Sequence, residues 1–517
     1  MTGDLHAFGP IGLAFVAIYL LSLLAIGWLG YRRREAQTMG DFFLGGRSTG
    51  FLVLLLTLYA TQYSGNTLFL FTGRAFRHGY WWLTSLHFMT AIVVFYLLFA
   101  PQLYRLSRGH RFITPGDYLH HRFGSRPMVL VATVLMVVAI CNYLIGQMMA
   151  MGRALEGLTT LDADTAYICG VVLLTLVILV YESLGGFRAV VWTDAIQGIL
   201  LLLGFALLLV IVLQRFGTLG EANALLAADP ETVSMVRPPG GRRSAEWLSY
   251  ILIVGIGGAL YPQAIQRIYA ARSGRVLRRS LGVMVFLPLT TTLVVLAVGI
   301  IARAHWGEIG PATFNDNAVL AIVCREIQQG SVLGHALVVV LFAAILAALM
   351  STADSVLLSI SSMVTKDLYG RFLCPDADEA RLTRTGKWVT AVFLVIAATL
   401  AILLRNTDLI KLLDRKFDLL IQMAPAFFLG MHWARLRAGP VFTGMIAGAA
   451  VALLLGYCPR IADWLDPDVQ GGKPYGLHPG LYGLAINSLI ATGGSAWMTG
   501  RTAPDSIESR LRSKRSR

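Results

Sequence analysis

The chain has 517 residues, 56% of them hydrophobic and only 14% charged, with a mean hydropathy of +0.66. A soluble domain carries roughly a quarter charged residues, so this composition excludes an ordinary soluble protein and points to a polytopic membrane protein. The formal net charge of +14 does not read as a nucleic-acid face, because the cations fall in the short stretches between apolar runs.

A bilayer core is crossed by about 20 apolar residues. Such runs lie near 10–31, 48–76, 79–100, 127–154, 163–183, 187–214, 245–268, 279–303, 331–365, 386–405, 408–433, 439–457 and 479–499, which predicts about 13 transmembrane helices. None alternates with period two, so the fold class is all-α. The first span has no basic residue before it and Arg32-Arg33-Arg34 after it, the reverse of a signal peptide, and reads as a retained span. Alternate loops carry Arg32 to Arg34, Arg105 to Arg126, Arg267 to Arg279, Lys366 to Lys387, Arg435 with Arg437, and the tail Arg510 to Arg515. That set holds more than half of the 43 Lys and Arg residues, so it is assigned to the cytoplasm of a cell inner or plasma membrane, with the N-terminus outside. The tail reads as an anchor at the anionic leaflet.

Cys141, Cys169, Cys324, Cys374 and Cys458 form no CxxC pair and imply neither a metal site nor a disulfide framework. There is no P-loop, HExxH or GxSxG, so an ATP-driven pump or a hydrolase has no support, and the polar stretches are too short to hold a core. The chain is not read as an enzyme.

The second span is apolar from Leu52 to Leu58 and again from Leu68 to Phe71, but between them runs Tyr59-Ala60-Thr61-Gln62-Tyr63-Ser64-Gly65-Asn66-Thr67. Polar residues around a glycine at mid-membrane predict an unwound helix, tolerated only where protein or ligand satisfies the freed backbone. The seventh span has a matching stretch, Gly255-Ile256-Gly257-Gly258-Ala259-Leu260-Tyr261-Pro262-Gln263. Its proline removes a backbone donor where glycines already weaken the helix. The two breaks sit five spans apart, the pattern of an inverted-repeat transporter with its site near the midplane. An ordinary proline kink is the plainer reading.

The ninth span contains Ala348-Leu349-Met350-Ser351-Thr352-Ala353-Asp354-Ser355. At about 100° per residue, Ser351, Asp354, Ser355, Ser359 and Ser362 share one face. A carboxylate at the bilayer centre costs at least about 2.5–3.5 kcal/mol, and hard oxygens one turn apart suit an alkali cation. The alternative is a polar seam that only hydrogen-bonds neighbouring helices.

These stretches resemble the sodium:solute symporter family. The likeness is carried by Asp41-Phe42-Phe43-Leu44-Gly45-Gly46-Arg47, by the broken second span with Gly73 and Gly79, by Tyr181-Glu182-Ser183-Leu184-Gly185-Gly186-Phe187-Arg188 running on to Trp192-Thr193-Asp194, and by the ninth-span motif through Lys366-Asp367-Leu368-Tyr369. The resemblance implies a leucine-transporter-like fold: a leading helix (1–47 with its loop), a 5+5 inverted repeat (48–214 and 245–433), two trailing helices (439–499) and a basic tail (500–517). It implies a sodium site made by the carbonyls of Ala60, Tyr63 and Ala348 and the hydroxyls of Ser351 and Thr352. It also implies a second cation site at Asp194, Ser351, Asp354 and Ser355, where Asp354 replaces the family's usual hydroxyl and could strengthen the site or hold a proton. A salt bridge from Asp194 to Arg188 or a helix neighbour is the alternative.

Candidate solute contacts are Gln62, Asn66, Thr67, Asn142, Gln147, Tyr261, Gln263 and Gln422, each equally able to hydrogen-bond a neighbouring helix. The eleventh span opens with Asp408, Lys411, Asp414, Arg415, Lys416 and Asp418, either an ion-paired helix end or charges facing the solute path. The expected function is sodium-coupled symport of a small polar solute such as an amino acid, a carboxylate or a polyol. The alternatives are proton coupling through Asp354 and Asp194, and a solute sensor on a transport fold.

Overall fold

A computed structural model describes residues 10–33, 38–156, 162–306, 319–330, 332–405, 409–467, 469 and 472–501. The tail cations Arg510 to Arg515, Asp408, and the side chains of Asn66, Lys411 and Asp414 lie outside the described residues. The described chain is almost entirely helical, with one isolated parallel bridge between Thr49 and Ala271. Among the described residues, eight helices are individually long and apolar enough to cross a membrane, or nine if the bent pair Arg242–Ala259 and Pro262–Ala270 is one span.

Burial grades these helices from centre to rim. The helix Val332–Met363, which continues as a π-helix to Leu373, is buried over 89% of its most apolar window, against 22% for the leading helix. The polar ninth span is therefore the centre of the molecule. Ile18, Leu52, Leu176, Phe286, Val395 and Leu489 are among the many exposed apolar side chains, the surface that lipid rather than water tolerates.

The second span is broken as expected, into Phe51–Gln62 and Gly65–His78. Tyr63 (ψ 97°) and Ser64 (ψ 167°) between them are extended. The fifth and sixth spans form one run, Ala163–Phe216, interrupted at Gly186 (φ 55°, ψ −145°). Tyr181 and Asp194 are 13 residues apart, about 20 Å of straight helix, yet they reach Asp354 and Ser351, which are one turn apart on the ninth span. The chain doubles back at Gly186. A Cβ there would stand 2.6 Å from the Phe42 carbonyl oxygen, so both conformation and space require glycine.

Stretches read as loops also hold short helices. Leu219–Ala228 is started by a capping box between Thr218 and Glu221, and Pro115–Phe123 by another between Thr114 and Asp117. The second of these packs under the bundle. Arg122 donates to the carbonyls of Gly430 and Trp433, and Asp117 accepts from Lys366 Nζ at 2.7 Å and from the Ile113 amide at 2.7 Å.

Candidate functional site

At the second-span break, hydrogen bonding shows which carbonyls are released. The Ser64 amide, which would continue the helix by donating to Ala60, donates instead to the Thr67 hydroxyl at 3.2 Å. The Thr67 amide turns to Ser64, whose carbonyl oxygen is 2.9 Å away. Ala60 and Tyr63 thus keep carbonyl oxygens without a helical donor, in a fully buried segment. On the ninth span, Ala348, Ser351 and Thr352 are all at 0% exposure. The Thr352 hydroxyl donates to the Ala348 carbonyl at 3.0 Å, and Ser351 donates to Asp194 Oδ1 at 2.5 Å. The Tyr143 hydroxyl lies near both Ser64 and Thr352, so it stands between the second-span break and the ninth span. Released carbonyls, hydroxyl lone pairs and a nearby carboxylate are the oxygen donors a small hard cation takes.

The second cation position holds a residue that sequence reasoning missed. Arg267, 1% exposed, donates from Nη2 to Asp194 Oδ2 at 2.7 Å and to Ser355 Oγ at 2.5 Å, from Nε to Thr57 Oγ1 at 2.7 Å, and from Nη1 to the Gln263 carbonyl at 3.0 Å. Thr57 also donates to Asp194. Asp194 therefore pairs with Arg267 and not with Arg188, which meets Asp41 at 2.7 Å. Asp354 is turned to another side, where Tyr181 donates to its Oδ2 at 2.5 Å. Further along the same helix, Gln266 accepts from Ser359 at 2.7 Å and donates to Ser362 at 2.6 Å. The polar face of the ninth span is thus part ion site and part seam. Arg267 was hidden because it ends an apolar run and reads as a topology charge. Its place five residues after Pro262, on the second half of a broken helix, was the available signal.

The solute candidates separate into two groups. Gln62 donates to the Tyr96 hydroxyl at 2.5 Å, which itself donates to the Gly258 carbonyl at 3.2 Å, so one tyrosine ties the two breaks together. The Thr67 hydroxyl is committed to its cap, and Asn142 is partly exposed. Gln422 faces the trailing helices: its amide donates to the Asp418 and Gly480 carbonyls at 3.0 Å, and Asn487 donates to its backbone carbonyl at 2.8 Å. Gln147 and Gln263 differ from all of these. Both are at 0% exposure, and no polar atom of either side-chain amide has a protein partner. Tyr261, at the seventh-span break, stacks on Tyr143 with ring centroids 5.9 Å apart and planes 9° from parallel.

Two interrupted helices around a buried, oxygen-rich centre define a membrane transporter. The sodium:solute symporter family matches residues 42–448, and the chain belongs to it. It is 28% identical over 449 residues to the osmoregulated proline transporter OpuE of Bacillus subtilis, covering 85% of this chain and 87% of that protein. It is 28% identical over 450 residues to the sodium/pantothenate symporter of Escherichia coli, covering 84% and 89%. A substrate-bound, outward-open sodium-coupled sialic acid symporter shares the fold, with a TM-score of 0.77 at 21% identity over 95% of this chain and 98% of that one. The chain is a multi-pass, leucine-transporter-fold symporter with sodium as its coupling ion, and not an enzyme.

Proposed function

We propose that one sodium ion is held by the carbonyls of Ala60, Tyr63 and Ala348 and the hydroxyls of Ser351 and Thr352, and that it moves with one small polar solute bound between the two helix breaks. The observation that carries this is the redirected Ser64 amide, which leaves the buried Ala60 carbonyl without its helical donor. The stoichiometry of one follows from Arg267: a guanidinium already bridges Asp194 and Ser355, where a second cation would stand. The solute meets Tyr143, Gln147, Tyr261 and Gln263, whose unpartnered amides supply its hydrogen bonds.

In this reading 48–214 and 245–433 are the two inverted repeats, 439–499 the trailing helices, and the N-terminus is outside with the C-terminus cytoplasmic in the cell inner or plasma membrane. The Thr49–Ala271 bridge supports it, since it joins the entry of one broken span to the exit of the other. At about 100 mV one cation gains roughly 2.3 kcal/mol, and a tenfold gradient adds about 1.4. Together these sustain roughly a 500-fold gradient of a neutral solute. Proteoliposomes loaded by sodium, then by choline at the same pH, test the reading. Uptake only with sodium is expected, and uptake indifferent to the exchange contradicts it.

A further inference from the structure

We infer that Arg303 is the centre of a halide-binding site, taking one chloride, at the far end of the half-helix Gly65–His78. The site is separate from the sodium and solute positions and does not rest on them.

Arg303 lies in the last turn of the helix Leu287–His305 and is only 6% exposed. An arginine at the end of an apolar helix ordinarily carries its head out to water or to lipid headgroups. This one lies over a ring instead, with the guanidinium carbon 5.3 Å from the centroid of Phe76. Its Nε and Nη1 are buried, and neither has a hydrogen-bond partner among the described residues. Arg267 shows what the same group does when the protein itself satisfies it: Nε, Nη1 and Nη2 all donate.

A close helix crossing enforces the placement. One turn before Arg303, a Cβ at Gly299 would stand 2.4 Å from the Thr72 carbonyl oxygen and 2.6 Å from Ala75 Cβ. With the two backbones in contact there, Arg303 is delivered onto Phe76, itself 4% exposed. Phe76 follows Gly65 by about 16 Å of helix. The guanidinium therefore stands a half-helix away from the second-span break.

The chemistry of the group names its ligand. A guanidinium keeps its proton, so its burial is not relieved by neutralisation. The Phe76 face attracts the charge but accepts no hydrogen bond in the guanidinium plane. The C-terminal dipole of Gly65–His78 eases the charge in the same way, without engaging Nε or Nη1. An anion in that plane supplies both a negative charge and an acceptor. The residues next in sequence and across the crossing, Ile300, Ala302, Ala75 and Phe76, are buried and apolar. An oxyanion such as phosphate would leave oxygens without donors there, whereas a halide is satisfied by a few N–H groups. Bound halide ties the eighth span to the half-helix that begins at the second-span break, and so stabilises the folded protein.

The test uses the purified full-length protein at fixed sodium and ionic strength, with gluconate exchanged for chloride or bromide. The melting temperature should rise saturably with either halide. Arg303→Gln should raise the half-saturating chloride concentration at least tenfold. Arg303→Lys, which keeps the charge but not the planar set of N–H groups, should give a smaller shift. Crystals of the parent grown in bromide should show an anomalous-scattering peak beside Arg303. A flat chloride titration, an unchanged midpoint in folded Arg303→Gln, or a bromide peak only elsewhere overturns the inference. If neither variant folds, the bromide position in the parent decides alone. Sodium-driven uptake measured in gluconate tests symport independently, so failure of the halide site leaves that reading intact.

Discussion

Arg267 Nη2 stands 2.7 Å from Asp194 Oδ2 with neither side chain more than 1% exposed, a complete ion pair at the core of the helix bundle. Two consequences follow from its being buried and bridged to Ser355. Removing the cation strands a carboxylate, which costs about 3–5 kcal/mol where no ion replaces it. Supplying an ion restores the balance. Arg267→Ala should therefore melt well below the parent in choline and recover in high sodium, with a Hill coefficient for sodium-driven uptake rising from one toward two. A Hill coefficient fixed at one in an active variant would mean that the guanidinium does not occupy a cation position.

In the proposed site, Ser351 and Thr352 hold sodium together with the carbonyls released by the second-span break. Ser351→Ala combined with Thr352→Ala should raise the half-maximal sodium concentration about tenfold or more, equivalent to about 1.4 kcal/mol. Uptake titrated against sodium at saturating solute checks this.

Tyr143 offers a separation of roles. Tyr143→Phe keeps the ring beneath Lys416 and removes the hydroxyl near Ser64 and Thr352. Solute binding in the absence of sodium should be nearly unchanged, whereas the increase in solute affinity produced by sodium should shrink several-fold. Paired binding isotherms, with and without sodium, measure that coupling free energy directly.

Beneath the bundle, burial would raise the Asp117 carboxyl, but Lys366 and the amides of Ile113 and Thr114 outweigh it and hold the group below the usual carboxylate range. A depressed folded-state value contributes stability at neutral pH that is lost as pH falls through it. Asp117→Asn should lower the melting temperature at pH 7, by a shift equivalent to about 1–3 kcal/mol. Melts repeated toward pH 3 should show the parent and variant converging.

Gly186 tests the fold itself. A side chain there must adopt a positive φ and meet the Phe42 carbonyl at 2.6 Å. Gly186→Ala should destabilise by about 1–3 kcal/mol or more and reduce the yield of folded protein, read by size-exclusion profile and melting temperature.

Much of this was legible in the sequence for a physical reason. Polar groups and glycines inside an apolar run are costly unless they serve backbone release, so Tyr59 to Thr67 and Gly255 to Gln263 announced the breaks without any contact map. Asp194 and Ser351 were legible for the same reason. What stayed hidden was pairing over long separations. Arg267 lies 73 residues from Asp194, and an arginine at the end of an apolar run looks like a topology marker. Gln422 read as a solute contact because its partner, Gly480, is 58 residues away on a trailing helix. Tyr143 gave no signal, since a tyrosine in an apolar helix is ordinary, whereas Lys416 read either as part of an ion-paired helix end or as a charge facing the solute path, and the fold buries it.

The most direct measurement is equilibrium binding of radioactive sodium to the purified full-length protein. The account predicts one ion per chain, with that binding abolished when Ser351→Ala and Thr352→Ala are combined. Two ions per chain in the parent, or undiminished binding in the double variant, would contradict it.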